Sequence, residues 1–367
     1  MFIIRYLCMG CMAMVLAKSC STPSSLQTPK IPQKSELCNL ELALIPDVTA
    51  TTSVCEKLYS ICTDDRIYIW NWRKPNDEPH CVGIYSCGEP LIALKRFGVI
   101  LADGSVLTIA PPDQGGSSVL VQKDVASNRE IKYWDIGGPW DLKYLASNRG
   151  GTCVACLLQE NSIYIHTQKD RTDFGDFKIG VIRPEASIQW IGSIREDRID
   201  GPGIWSVHVS DDGRYIACVG VSNGGWLAIG DVEKKQFLWQ KIVKWPAGKS
   251  TVNFNDCSFS PDSTRVYVAG NTGLLGFDIL TGQVICYLPT DGRFVSVDVS
   301  PDGHLVAGGE SLVGYVKIFD LQTGRMIRQI ETGQYTIYGL TFSPDSKYLA
   351  TSGVKNTNVK IWKLDGE

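Results

Sequence analysis

One phrase recurs in the second half of the chain and restricts the fold more than any other feature. It reads Val209-Ser210-Asp211-Asp212-Gly213, then Phe259-Ser260-Pro261-Asp262-Ser263, Val299-Ser300-Pro301-Asp302-Gly303 and Phe342-Ser343-Pro344-Asp345-Ser346. The serines fall at 210, 260, 300 and 343, so successive copies lie 50, 40 and 43 residues apart. A period of this size belongs to arrays of supersecondary units that bury a core only by stacking on one another.

Each copy has the same parts. An alternating apolar run such as Phe294-Val295-Ser296-Val297-Asp298-Val299 precedes the tetrad, and period-two alternation marks a strand with one buried face. In the tetrad Pro presets φ, Asp bonds nearby amides, and Gly or Ser relaxes the exit. A second strand follows, as in Tyr348-Leu349-Ala350, and a third runs through Val316–Phe319 or Val359–Trp362. An Asp-x-x-Thr-Gly turn then leads into a fourth, Gln283–Tyr287. Four antiparallel strands per forty-odd residues make one propeller blade. The predicted fold is therefore all-β, a seven-bladed β-propeller of four-stranded antiparallel blades. The first three blades are degenerate, and the pattern alone also accommodates six or eight.

The stretch resembles the WD-repeat and bacterial YVTN-type β-propellers. The resemblance is carried by the Ser-Pro-Asp tetrads, by the turns at 278–282 and 320–324, and by Val-Lys-Ile-Phe-Asp at 316–320 with Val-Lys-Ile-Trp at 359–362. It departs from the WD-repeat pattern in one respect: the only Gly-His is Gly303-His304, inside a turn, and none precedes a first strand. The resemblance implies a rigid ring that binds other proteins.

The last blade ends after its third strand, at Trp362, and residues near 38–46 are expected to supply the fourth and close the ring, since closure removes exposed edges. The first full blade is expected over 55–88, with strands at 57–62, 66–72 and 81–86. The second starts at Leu91, with strands at 98–102, 105–109 and 118–122. The third starts near Trp140, with strands at 152–158, 162–167 and 187–191. The last four begin near Ile204, Val252, Phe294 and Thr336. Longer loops are expected at 113–116, 169–178 and 192–203, where binding tends to concentrate on a rigid scaffold.

The amino terminus reads differently. Residues 1–19 carry one early charge, Arg5, then an apolar core from Tyr6 to Ala17, then Ala17-Lys18-Ser19 before Cys20. Small residues at −3 and −1 of a cut suit a signal peptide. A Cys directly after the cut suggests a bacterial lipoprotein acylated at Cys20, although Lys18 is unusual there. Residues 20–36, rich in Ser, Thr and Pro, read as a disordered tether. The domain reading is thus 1–19 signal peptide, 20–36 tether and 37–367 propeller, in an exported protein of the bacterial cell envelope, membrane-anchored or periplasmic. The formal net charge is −3. Phosphate backbones demand a basic face, so nucleic acid is excluded as the main partner.

Catalytic signatures are sparse. The four histidines, at 80, 166, 208 and 304, show no metal-ligand spacing, and no nucleophile elbow or phosphate loop occurs. Arg195–Asp200 lacks EF-hand spacing and reads as a solvated loop. Of thirteen cysteines, Cys62, Cys153, Cys218 and Cys257 fall in apolar strand patterns and read as core. Cys38 with Cys55, or Cys81 with Cys87, could pair after export. Cys153 and Cys156 have CxxC spacing but would point to opposite faces of a strand. No metal or cofactor is expected. Trp140, Trp205, Phe254, Phe294 and Tyr338 fall near first-strand starts and are the binding-face candidates. Trp70, Trp72, Trp239 and Trp362 read as inter-blade core. His208, Asp256 and Asp298 lie on first strands and are the central-channel candidates. Two functions compete: a non-catalytic scaffold for a protein or peptide partner, and an enzyme or enzyme subunit like the propeller lactonases or amine dehydrogenase large chains.

Overall fold

The computed structural model describes residues 48–364 apart from 55–56, 63–65, 75–79, 85–97, 111–118, 137–139, 161–176, 195–202, 223, 244–252 and 355–358. The signal and tether assignments, Cys20, the closing strand at 38–46, Cys38, Cys55, Cys87, His166, the loop at 113–116, most of 169–178 and the Arg195–Asp200 loop lie outside the described residues.

Seven antiparallel sheets follow one another along the chain, each a simple meander. Six have four strands, and the seventh has three among the described residues. The first strands of the seven blades are Val48–Val54, Gly98–Ile100, Trp140–Ser147, Gly203–Val209, Phe254–Phe259, Phe294–Val299 and Thr336–Phe342. First strands of adjacent blades approach one another, which places them innermost. The architecture is a seven-bladed β-propeller.

Apolar side chains on facing sheets interdigitate to form the cores between blades. Ala155, Ile179 and Val181 of blade 3 pack with Val207, Cys218 and Trp226 of blade 4. Val219 and Leu227 of blade 4 meet Phe254, Phe277 and Ile279 of blade 5. The same arrangement joins blades 2 and 3, 5 and 6, and 6 and 7. Leu58, Tyr68, Trp70 and Trp72 of blade 1 share a core with Ala350, Val359 and Ile361 of blade 7, so the first and last blades meet. Trp362 is buried too, while Trp239 is half-buried and donates through Nε1 to Ile279 O of the next blade at 2.7 Å.

The tetrads fold identically in all four copies. The serine hydroxyl donates to the aspartate Oδ1 at 2.5–2.6 Å. It accepts from the amide five residues on at 2.9 Å. Residue four of the turn has positive φ: Gly213 and Gly303, but also Ser263 at +55° and Ser346 at +58°. Left-handed backbone suits glycine, so two copies carry mild strain.

The degenerate half differs from the sequence reading in three places. Blade 1 begins with Val48–Val54, a strand that the pattern concealed because Thr and Ala blur its alternation. Blade 2 has a fourth strand at Glu130–Asp135, and its preceding turn repeats the Asp-x-x-Thr-Gly geometry with Asp124, Ser127 and Asn128. In blade 3 the third strand is Phe177–Ile182, whereas the strand expected at 162–167 lies outside the described residues. Its tetrad is present in disguise as Asn148-Arg149-Gly150-Gly151. Asn148 Oδ1 accepts from Thr152 N and Cys153 N, at 2.9 and 3.1 Å, as the tetrad serines do from their strands.

Candidate functional site

The first strands have two ends of opposite character. From the middle of each strand to the end carrying the tetrads, polar groups tie blades together. Asp256 Oδ1 accepts from Ser206 Oγ and pairs with His208 Nε2, both at 2.9 Å and both on blade 4, while Oδ2 accepts from Val297 N of blade 6 at 3.2 Å. One blade further on, Asp298 accepts from Ser258 Oγ of blade 5 at 3.1 Å and from Phe342 N of blade 7 at 2.9 Å. Each carboxylate therefore bridges the blades on both sides of its own.

Arg149 completes this end. From the blade 3 turn it reaches Asp211 of blade 4 at 2.6 Å, Asp298 of blade 6 at 3.5 Å and Val299 O at 2.5 Å. Burial works against its charge, but Asp298 and Asp211 outweigh that and hold its pKa above the ordinary guanidinium value. Arg149 also donates to Phe259 O of blade 5 at 3.5 Å, so one guanidinium joins four blades.

Of the central-channel candidates, the structure brings His208 and Asp256 into contact and puts Asp298 in the Arg149 tie. Asp256 stands between Ser206 and His208. A hydrolytic triad needs the histidine between the carboxylate and the hydroxyl, so that it can take the proton of the nucleophile. The order here is the wrong one for that chemistry. Among the described residues no group of three or more His, Cys, Asp or Glu could hold a metal ion. Cys153 packs in the core between blades 3 and 4 and Cys156 in that between blades 2 and 3, so the CxxC pair is split across one strand. Burial pushes the Cys156 thiol up to about 12, which leaves it protonated and inert.

At the opposite end, where each first strand begins, the ladder slips by one residue. The break falls between Ile204 and Ser206, Phe254 and Asp256, Phe294 and Ser296, and Ile337 and Gly339. A like slip occurs at Lys143 in blade 3. A β-bulge leaves its extra residue unpaired and re-aims the side chain. The bulged residues Lys143, Trp205, Asn255, Val295 and Tyr338 are all half-buried.

This corrects two of the aromatic assignments. Phe254 and Phe294 are fully buried at 0% exposure and pack edge-on against Phe277 and Phe319. They precede the bulge by one residue, at the positions of Ile204 and Ile337, and belong to the core. Trp205 and Tyr338 occupy the bulge itself. Trp140 begins its strand, and its side chain lies outside the described residues. Asn255 and Arg293 were not legible as site residues. Arg293 Nη2 donates to Asn255 Oδ1 at 2.9 Å, and Asn255 Nδ2 donates to Phe294 O at 2.6 Å. Only the alignment of each strand to its own tetrad, four residues before the Phe or Val that precedes Ser, picks out the bulged position.

Comparison with known proteins agrees with this fold. Residues 324–363 match the family model for the WD domain, G-beta repeat. Autophagy-related protein 18 of Saccharomyces cerevisiae is 39% identical over 75 residues, 20% of this chain and 15% of that protein. WD repeat-containing protein SL1-17 of Schistosoma mansoni is 31% identical over 103 residues, 26% of this chain and 34% of the relative. The chain thus spans about a third or less of the length of these relatives. A chain in the crystal structure of a mitotic checkpoint complex superposes with a TM-score of 0.62 at 12% identity, covering 95% of this chain and 99% of that one. At that identity the likeness concerns the fold.

Proposed function

We propose that the protein is a non-catalytic scaffold that binds a protein or peptide partner at the bulged ends of its first strands. The observation that carries this reading is the contrast within each strand. The ionisable groups at the tetrad end are bonded into ties between blades. The bulged residues at the other end stay half-exposed in five consecutive blades, with a Trp and a Tyr among them. Aromatic anchors of this kind dominate protein interfaces. The WD-repeat match at 324–363 supports the same reading.

The test is the double variant Trp205→Ala/Tyr338→Ala in affinity recovery of partners by the full chain. Loss of recovered partners with an unchanged melting curve is expected. Loss of folding instead would assign both residues to the core.

Anchoring is a separate proposal. The order of Arg5, the apolar run and Cys20 fits export with acylation at Cys20. The relatives described above are eukaryotic, which weighs against a bacterial envelope. Mass spectrometry of the amino-terminal peptide decides it: a diacylglycerol mass on Cys20 supports the anchor, and an unmodified Cys20 in an uncut chain removes it.

A further inference from the structure

The face at the bulged ends contains a cation without an anion. Arg293 lies just before the first strand of blade 6 and is half-buried. Its Nη2 is held by Asn255, yet its Nε is buried without a hydrogen-bond partner. No carboxylate among the described residues reaches it; the ring of Tyr338 is the ionisable group beside it. Desolvation accordingly holds its pKa below the ordinary guanidinium value. A buried donor left unmade is expensive, and more so on a charged group.

The neighbouring loop of blade 6 shows a second anomaly. Leu312 has φ of +72° and is 61% exposed, and Val313 beside it is 52% exposed. A leucine in the left-handed region costs on the order of 1 kcal/mol or more, and a leucine this exposed recovers only part of it by burial. The loop is nonetheless fixed against Arg293 and blade 7. Ser311 N donates to Arg293 O at 2.8 Å, and Leu312 N donates to Thr336 Oγ1 at 3.2 Å. Strained and 61% exposed, this side chain adds little to the core.

We propose that this face docks a linear peptide segment bearing one carboxylate beside a large apolar side chain. The carboxylate meets Arg293 and Asn255, and the apolar side chain meets Leu312, Val313 and Tyr338. This rests on the scaffold reading and adds the chemistry of the partner. A guanidinium presents its donors as a planar fork matched to a carboxylate. Phosphate recognition gathers several free cations, whereas the neighbouring Lys317 is already paired with Asp291 and Glu310 and Lys360 donates to Thr332 O. A single cation matches a single negative charge.

The experiment pans a phage-displayed library of random twelve-residue peptides on the full chain. The enriched peptides are then synthesised with a fluorescent label and titrated by anisotropy. Enrichment of Asp or Glu next to Leu, Ile, Phe or Trp is expected. Arg293→Gln should weaken binding at least tenfold, and so should replacing the peptide's acid by its amide. Arg293→Lys, which keeps the charge and loses the fork, should fall between. Leu312→Gly should weaken binding at least fivefold while leaving the melting temperature equal or higher, an outcome that a merely structural leucine would not give. Peptides that bind equally to the Arg293→Gln variant overturn the inference while leaving the scaffold reading in place. Absence of any enriched peptide, together with no partner recovered by the unaltered chain, overturns both.

Discussion

The two ends of the first strands are built from the same repeat and do opposite things. From mid-strand to the tetrad end, Asp256, Asp298 and Arg149 have polar atoms bonded across blade boundaries. At the bulged end, one extra residue per strand breaks the ladder and leaves Trp205, Asn255 and Tyr338 half-exposed. The difference teaches that rigidity and recognition are separated along a single strand of six or seven residues. An end whose charged groups are tied across blades resists substitution, and an end that leaves Arg293 Nε without a partner and Trp205 and Tyr338 half-exposed is available to something else.

The largest expected effect is at the tetrad end. Asp298→Ala removes the acceptor for Phe342 N and Ser258 Oγ and leaves Arg149 short of one anion, so a loss of about 3 kcal/mol is expected in denaturant unfolding. Tyr338→Ala should lower stability by no more than about 1 kcal/mol, because a half-exposed side chain has less surface to lose. Equal losses would erase the distinction between the ends.

The next effect concerns the Arg149–Asp211 pair, which is about one-quarter exposed on each side. A double-mutant cycle of Arg149→Met with Asp211→Ala should return a coupling of about 1 kcal/mol, between the values for surface and buried pairs.

Acid should separate the ends as well. In Asp262, Asp302 and Asp345 burial raises the pKa, but the tetrad serine and the amide two residues on outweigh it and leave the value below that of an ordinary aspartate. A carboxyl with a depressed folded pKa stabilises fully above the unfolded value and loses that contribution as pH falls through the folded one. The melting temperature should therefore drop below about pH 4, and Asp302→Asn should flatten the drop.

The smallest effect is a gain. Ser263 has φ of +55° and a buried hydroxyl without a partner, so Ser263→Gly should be neutral or stabilising by up to about 1 kcal/mol. Ser346→Gly should not gain, because Ser346 Oγ accepts from Asp302 N. A gain at both positions would mean that backbone strain alone sets the outcome.

The turns were legible because their chemistry is local. Ser, Pro, Asp and Gly act within five residues, and a period of them declares the fold. The disguised blade 3 tetrad escaped because Asn148 performs with an amide what serine does with a hydroxyl. The bulges escaped for another reason. An inserted residue changes which side chain faces the core without altering composition, so Phe254 and Phe294 resemble surface anchors until the register is known. The partnership of Asn255 with Arg293 spans 38 residues and two blades, beyond any local pattern.

Arg149 carries one consequence further. A ring of repeats in which each unit touches only its two neighbours behaves as a chain of nearest-neighbour couplings, able to open one interface at a time. A side chain rooted in blade 3 and bonded to blades 4, 5 and 6 adds a coupling that reaches past its nearest neighbour. Opening any interface between blades 3 and 6 must then also break this bracket, so that arc should exchange its amide hydrogens as one cooperative block rather than blade by blade.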